Sequence, residues 1–138
     1  MNSSAHTQTE MELTAFYDAY IDTFNHRRLE EVPRFFAFPW VTVDQAGDVH
    51  TIPDTSIQIP MWAKIVAELE GQGWSHSVVD RLDIHPTGMD TALLAVNFTR
   101  WRKTQTIIER RRGFYVVRRF DDGWKIVTSW DARTSAGS

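Results

Sequence analysis

Apolar residues recur at Leu13, Phe16, Tyr17, Tyr20, Ile21 and Phe24, three and four positions apart. That spacing puts them on one face of an amphipathic helix. Thr9-Glu10-Met11-Glu12, just before the stripe, reads as a capping box, with the Thr9 hydroxyl on the first turn and Glu12 reaching back. Asn25-His26 closes the helix. Leu29 to Phe36 predicts a second, short helix, in which Pro33 must lie near the first turn. Ile57, Met61, Ile65, Val66 and Leu69 predict a third, with Pro60 marking its first turn and Gly71 and Gly73 ending it. Elsewhere the pattern alternates. Residues 40–44 and 48–52 predict a small hairpin across Gln45-Ala46-Gly47. Four long strands come next at 74–85, 90–103, 106–120 and 124–131, with Gly113 read as a bulge and Asp121-Asp122-Gly123 as the last turn. Helices segregated from one bent, mostly antiparallel sheet define an α+β fold.

Strand parity then sorts candidate faces. Trp74, His76, Val78, Asp80, Leu82 and Ile84 share one face, and His76 and Asp80, about 13 Å apart along it, cannot touch. Both faces of 90–103 are apolar (Ala92, Leu94, Val96 and Phe98 against Leu93, Ala95 and Trp101), so both should be covered, one by the domain interior and one by a second copy of the chain. Asn97 is the one strongly polar residue in the middle of that strand and needs a partner if buried. Arg110 and Arg112 share parity with Phe114 and Val116.

Composition narrows the picture further. The chain has 138 residues, read as a single domain at 9–131 with frayed Ser/Thr/Ala-rich tails at 1–8 and 132–138. No apolar run approaches the roughly 20 residues of a membrane span, and Met1 to Glu10 lacks the apolar segment of a signal peptide. A cytoplasmic protein without membrane contact is expected. Cysteine is absent, which excludes disulfides, thiolate metal sites and a Cys nucleophile. A net charge of −3 argues against nucleic acid as a partner. The charge is uneven, however: residues 1–99 hold 14 acids and 5 bases, and residues 100–138 hold 4 acids and 10 bases. The basic strands read as a solvated sheet face, as an anion-binding wall, or as an RNA-binding face. No Gly-rich phosphate loop or cluster of His and acids occurs, so no metal or other cofactor is expected.

The FYDAYIDTFN helix, the LEEVPRFF segment after it and the closing FYVVRRFDDGWKIVTSWD hairpin resemble the nuclear transport factor 2-like superfamily over roughly residues 9–131. The stretch Pro39-Trp40-Val41-Thr42-Val43 with Asp48-Val49 is most similar to its small uncharacterised bacterial members. The resemblance implies a cone-shaped curved sheet wrapped around three helices. It extends to ketosteroid isomerases and polyketide cyclases, and the fold hosts isomerases, dehydratases, cyclases, epoxide hydrolases and pure binding modules.

Laid without a gap on the ketosteroid isomerases, Tyr20 falls on the oxyanion-binding Tyr and Asp44 on the proton-abstracting Asp. The resemblance therefore implies a catalytic pair in an apolar shell, where desolvation would raise the Asp44 pKa. Aligned on Arg119-Phe120-Asp121, the isomerases' second donor falls on Val116, which cannot donate. By the residues alone, Tyr20 is also readable as core beside Tyr17, and Asp44 as a turn cap on Ala46 or Gly47. His76 matches the type of base used by the resembling dehydratases, and an Asp80–Arg112 pairing would echo the relay of the epoxide hydrolases. Tyr17, Trp40, Trp62, His76, Asn97, Arg112, Val116 and Trp130 are the candidate pocket residues, with Trp74 a further wall. Six Trp and eight Phe suit a small apolar or aromatic ligand. Two functions fit these residues: a cofactor-free enzyme moving a proton on an apolar carbonyl compound, or a non-catalytic ligand-binding or dimerisation module.

Overall fold

The helical stripe runs a turn further than the capping pattern implies. In the computed structural model, which describes residues 3–133 and the side chains of 6–132, helix α1 spans Ser3–Asn25. Thr9 is therefore no cap. It lies four residues before Leu13 on the same buried face, and that burial carries the helix through the polar segment expected to fray. The remaining tail positions, 1–2 and 134–138, lie outside the described residues. A 3-10 helix comes next at Leu29–Phe35 with Pro33 inside it. Helix α2 spans Thr55–Gly71 and begins two residues earlier than expected, because the Asp54 carboxylate caps it by accepting from the Ser56 amide. Pro60 thus sits in the second turn.

The strands are β1 (Phe36–Val43), β2 (Val49–Ile52), β3 (Trp74–Pro86), β4 (Thr91–Arg102), β5 (Ile107–Phe120) and β6 (Gly123–Arg133). They form one six-stranded sheet in the order β2-β1-β6-β5-β4-β3. All neighbours are antiparallel except β1 and β6, which run parallel. The sheet is mixed and does not close, so β2 and β3 are free edges rather than staves of a barrel. The Phe38–Pro39 bond is cis.

The concave face carries the core. Leu13 and Tyr17 from α1, Val32 from the 3-10 helix, Leu94 and Val96 from β4, Val117 from β5 and Ile126 from β6 are fully buried in one cluster. Burying such side chains supplies most of the driving force for folding. Parity within the strands is not constant, however. Ser75 and Asp80 are extra residues in the β3–β4 register, and each inverts the facing of the residues after it. Trp74, Ser77, Leu82 and Ile84 consequently do not share a face with His76. Gly113 is not a bulge: it pairs regularly with Val96 and Asp131, and the shift in β5–β6 falls between Val116 and Val117.

Candidate active site

A cavity of about 490 Å³ lies between α1, α2 and the concave face of the sheet. Its interior is aromatic and aliphatic. Tyr17, Tyr20 and Phe24 come from α1, Trp40 from β1, Met61, Trp62 and Ile65 from α2, and Phe98 from β4. Trp74 borders it from β3. Trp130 borders it from β6, although its ring stacks on the outward Phe114 at 5.1 Å. The rings pack edge-on or stacked: Trp40 and Trp62 are 5.7 Å apart at 27°, and Phe24 meets Trp62 at 4.9 Å. Such packing makes a stiff wall.

Three phenols meet at its floor. Tyr17 donates to the Tyr115 hydroxyl at 3.0 Å, and the Tyr20 ring packs edge-on against that of Tyr115, 6.1 Å away. Burial first, and neighbouring phenols next, push the Tyr17 and Tyr20 pKa values well up. Burial likewise raises Tyr115 to about 12. All three are therefore neutral near pH 7 and retain their protons. Three hydroxyls with one mutual bond leave two O–H hydrogens to donate to something else in the cavity. Gly113 makes room for this cluster, since a Cβ there would lie 3.1 Å from the Tyr115 oxygen.

The rim is charged. Along β1, Trp40, Thr42 and Asp44 face inward by alternation, and across from them so do Ile52 and His50 of β2. His50 Nε2 donates to Asp44 Oδ2 at 2.8 Å, while Oδ1 accepts from the Ala46 and Asp48 amides, each at 3.0 Å. Both residues border the cavity, with 43% of the Asp44 side chain exposed. The His50 hydrogen bond, helped by the Asp48 and Ala46 amides, holds the Asp44 carboxyl below the usual range. This corrects the expected upward shift: Asp44 stands in solvent with three donors, so desolvation does not govern it. In the neutral imidazole, Nε2 donating leaves Nδ1 of His50 as an acceptor.

Val43 pairs with Trp130 in the parallel ladder, so the next residues, Asp44 just past β1 and Asp131 within β6, come side by side. Asp131 accepts from Arg111 Nη2 at 2.8 Å, and Glu109 accepts from Arg111 Nη1 at 3.2 Å and also from Arg100. Burial pushes the Glu109 pKa up, but the hydrogen bonds and charges of Arg100 and Arg111 outweigh it and leave it below the usual range. A belt of polar and charged side chains thus crosses five strands at one end of the sheet. Arg100, Asp131, Asp44 and His50 border the cavity. Among the described residues no three His, Asp or Glu side chains converge as metal ligands, and no helix is long and apolar enough to cross a membrane.

Of the residues singled out from the sequence, Tyr17, Tyr20, Trp40, Asp44, Trp62 and Trp130 border this one cavity. His76, Asn97, Arg112 and Val116 do not: each pairs in register on the convex face. The bulge at Ser75 turns His76 outward. Arg112 lies over the Phe114 ring at 4.9 Å and makes no pair with Asp80, which accepts instead from the Thr99 hydroxyl. Val116 is one residue off the inward position, which Tyr115 holds. A phenol thus stands beside the position on which the alignment placed Val116. His50, Arg100, Tyr115 and Asp131 were missed. Alternation from Trp40 through Thr42 and the hairpin register would have exposed His50; the other three depend on the parity of β4, β5 and β6.

These features, helices on the concave face of a curved open sheet with a cavity between, define the cone fold of the nuclear transport factor 2-like proteins. The chain belongs to the NTF2-like protein (DUF6841) family, whose model matches residues 10–134. No curated protein matches the sequence. Among solved structures it is similar to an NTF2-like protein with a cystatin-like fold from Novosphingobium aromaticivorans, at 14% identity and a TM-score of 0.77, covering 99% of this chain and 92% of that one. Aln2 from a Streptomyces species shares 11% identity at a TM-score of 0.75, with 91% of each chain covered. A ketosteroid isomerase-like protein from Erwinia carotovora shares 14% identity at a TM-score of 0.63, covering 91% of this chain and 96% of that one. At these identities the likeness shows the fold alone.

Proposed function

We propose that the protein binds a small, ring-containing apolar carbonyl compound and moves a proton next to its carbonyl without a cofactor. One observation carries the reading: a single cavity holds a neutral phenol cluster with a spare O–H at its floor and a His–carboxylate pair at its rim. In this reading Tyr20 and Tyr115 hold the substrate oxygen as negative charge develops on it, in a site with little water. His50 Nδ1 takes the proton, and Asp44 fixes the imidazole through Nε2 and stabilises the cation that forms. The test is deuterium exchange into 2-tetralone in D₂O, followed by proton NMR. Exchange clearly faster than in buffer, lost in His50→Gln, is the expected result. Binding of 2-tetralone with no exchange above buffer would sink the enzyme reading.

A second reading is favoured by Asp44 itself. A carboxylate saturated by two amides and an imidazole, with a lowered pKa, is what a turn cap looks like. The protein would then be a non-catalytic ligand-binding or dimerisation module.

Either reading includes a homodimer through the convex face. There Leu93 and Ala95 of β4, Val116 of β5 and Trp130 of β6 stand next to one another by register, half-buried or buried. A second copy on this face should bury at least roughly 1,000 Å² in total. Light scattering at micromolar concentration should give a dimer mass, and Leu93→Asp should give a monomer. A monomeric wild type would remove the interface.

A further inference from the structure

Asp131 stands between the rim of the cavity and the phenols. Its neighbour on β1 is Asp44 and its partner on β5 is Gly113. Gly113 raises no side chain beside it, and the Tyr115 hydroxyl lies over that glycine. The Asp131 side chain is 42% exposed; Oδ2 accepts from Arg111, and Oδ1 lies outside that bond. Its charge is felt at the floor. Burial is the first cause of the raised pKa values of Tyr17, Tyr20 and Tyr115, and the Asp131 charge is a further cause for all three. Nor do the charges around the mouth cancel. Three carboxylates, Asp44, Glu109 and Asp131, face two guanidiniums, Arg100 and Arg111, which leaves one negative charge in excess while His50 is neutral. An independent feature marks the same space. The Tyr20 hydroxyl belongs to a residue 4% exposed, lines the cavity and stands outside the Tyr17–Tyr115 bond. It has lone pairs to offer a donor, and the aromatic walls favour positive charge.

We propose that Asp131 Oδ1, with the Tyr20 oxygen facing it, is a subsite for a protonated amine on the ring ligand. The inference rests on the reading of the cavity as a ring-ligand site and is independent of any catalysis there. An ammonium cancels the excess charge of the mouth, whereas an anion would add to it. Asp131 is the anchor rather than Asp44, because both Asp44 oxygens are already taken by His50 and two amides. A cation here also serves the proposed chemistry. The Asp131 charge opposes an oxyanion at the phenols, and an ammonium beside it offsets that opposition. Tyr20 can donate its O–H to a carbonyl and accept an N–H on the same oxygen. The substrate class is thus a ring ketone with a basic nitrogen close to the carbonyl.

The test uses one tetralin skeleton with three substituents: 2-aminotetralin, 2-tetralol and tetralin-2-carboxylate. Calorimetry is run near pH 8, where an imidazole is ordinarily neutral and the amine still charged. The wild type at low salt should bind the amine at least about tenfold more tightly than the alcohol, and the carboxylate more weakly than either. Asp131→Asn should bring the amine-to-alcohol ratio below about threefold. Raising salt to about 1 M should shrink the wild-type ratio, because Asp131 is partly exposed and its charge is screened; this arm decides alone if the variant does not fold. Equal affinities for amine and alcohol, a ratio that survives Asp131→Asn, or one indifferent to salt would each overturn the proposal. Tightest binding of the carboxylate would also overturn it and assign the mouth to Arg100. The amine's advantage without deuterium exchange into 2-tetralone would defeat the catalytic reading and leave this one standing. Exchange without that advantage would do the reverse. Binding of none of the probes would end both.

Discussion

Tyr20→Phe is expected to slow proton exchange by about 2–4 kcal/mol of transition-state stabilisation, as for loss of one oxyanion donor. Tyr20 is 4% exposed and packs on Tyr115, so the variant deletes one phenol and leaves the Tyr17–Tyr115 bond in place. Asp44→Asn is expected to cost more, on the order of 10⁴-fold, the scale seen when the carboxylate orienting a catalytic imidazole becomes an amide. An Asn side-chain oxygen can still accept from the Ala46 and Asp48 amides, so the turn survives. Its NH₂ would face His50 and reverse the imidazole's tautomer. Ligand affinity and melting temperature should therefore hardly move, because Asp44 is exposed and makes no core contact. Full exchange in Asp44→Asn would transfer the base assignment elsewhere, and Asp131 on the neighbouring strand would be the next group to test.

Arg111→Met should give the largest loss of stability among the rim residues. Arg111 is 13% exposed and forks between Glu109 and Asp131, so the variant leaves Asp131 with no cation and Glu109 with Arg100 alone. Breaking a well-buried pair costs about 3–5 kcal/mol; here the carboxylates are partly solvated, and about 2–3 kcal/mol is expected. The pH dependence has a definite sign. Because the folded-state pKa of Glu109 lies below its unfolded value, its ionisation stabilises the fold above the ordinary Glu range, and that contribution is lost as pH falls through the folded value. Arg111 supplies part of the depression. Between pH 7 and pH 3 the wild-type melting temperature should thus fall further than that of Arg111→Met, and the two curves should converge in acid. Parallel curves would show that the fork has no linkage to protonation.

Local patterns carried most of the architecture. The stripe from Leu13 to Phe24 needs only helical spacing to be read, and the strand bounds follow from Pro86, Gly123 and the runs of β-branched residues. What did not show locally was which way each strand faces. A single extra residue at Ser75 or Asp80 inverts a face, and neither a Ser nor an Asp announces a bulge as a glycine does. Gly113 carried that signal without the bulge, because its missing side chain makes space for the Tyr115 hydroxyl instead. The aromatic lining was legible because Tyr17, Tyr20 and Trp62 sit on helices with uninterrupted periodicity and Trp40 leads the regular pairing of β1 with β2. The charged belt was not, since it is assembled from five strands whose mutual register no short window contains.

The parallel contact between β1 and β6 sets an order of assembly during synthesis. Among the described elements β6 is made last, yet it separates β1 from β5 in the sheet. Until it emerges, the β1–β2 hairpin has only its own two strands to pair, an arrangement marginal in water. Trp40, Thr42, His50 and Ile52 therefore have no opposite wall on a partly made chain, since Ser129 and Asp131 arrive last. The cavity is therefore completed late in translation: a chain stalled before Gly123 lacks the wall that β6 supplies.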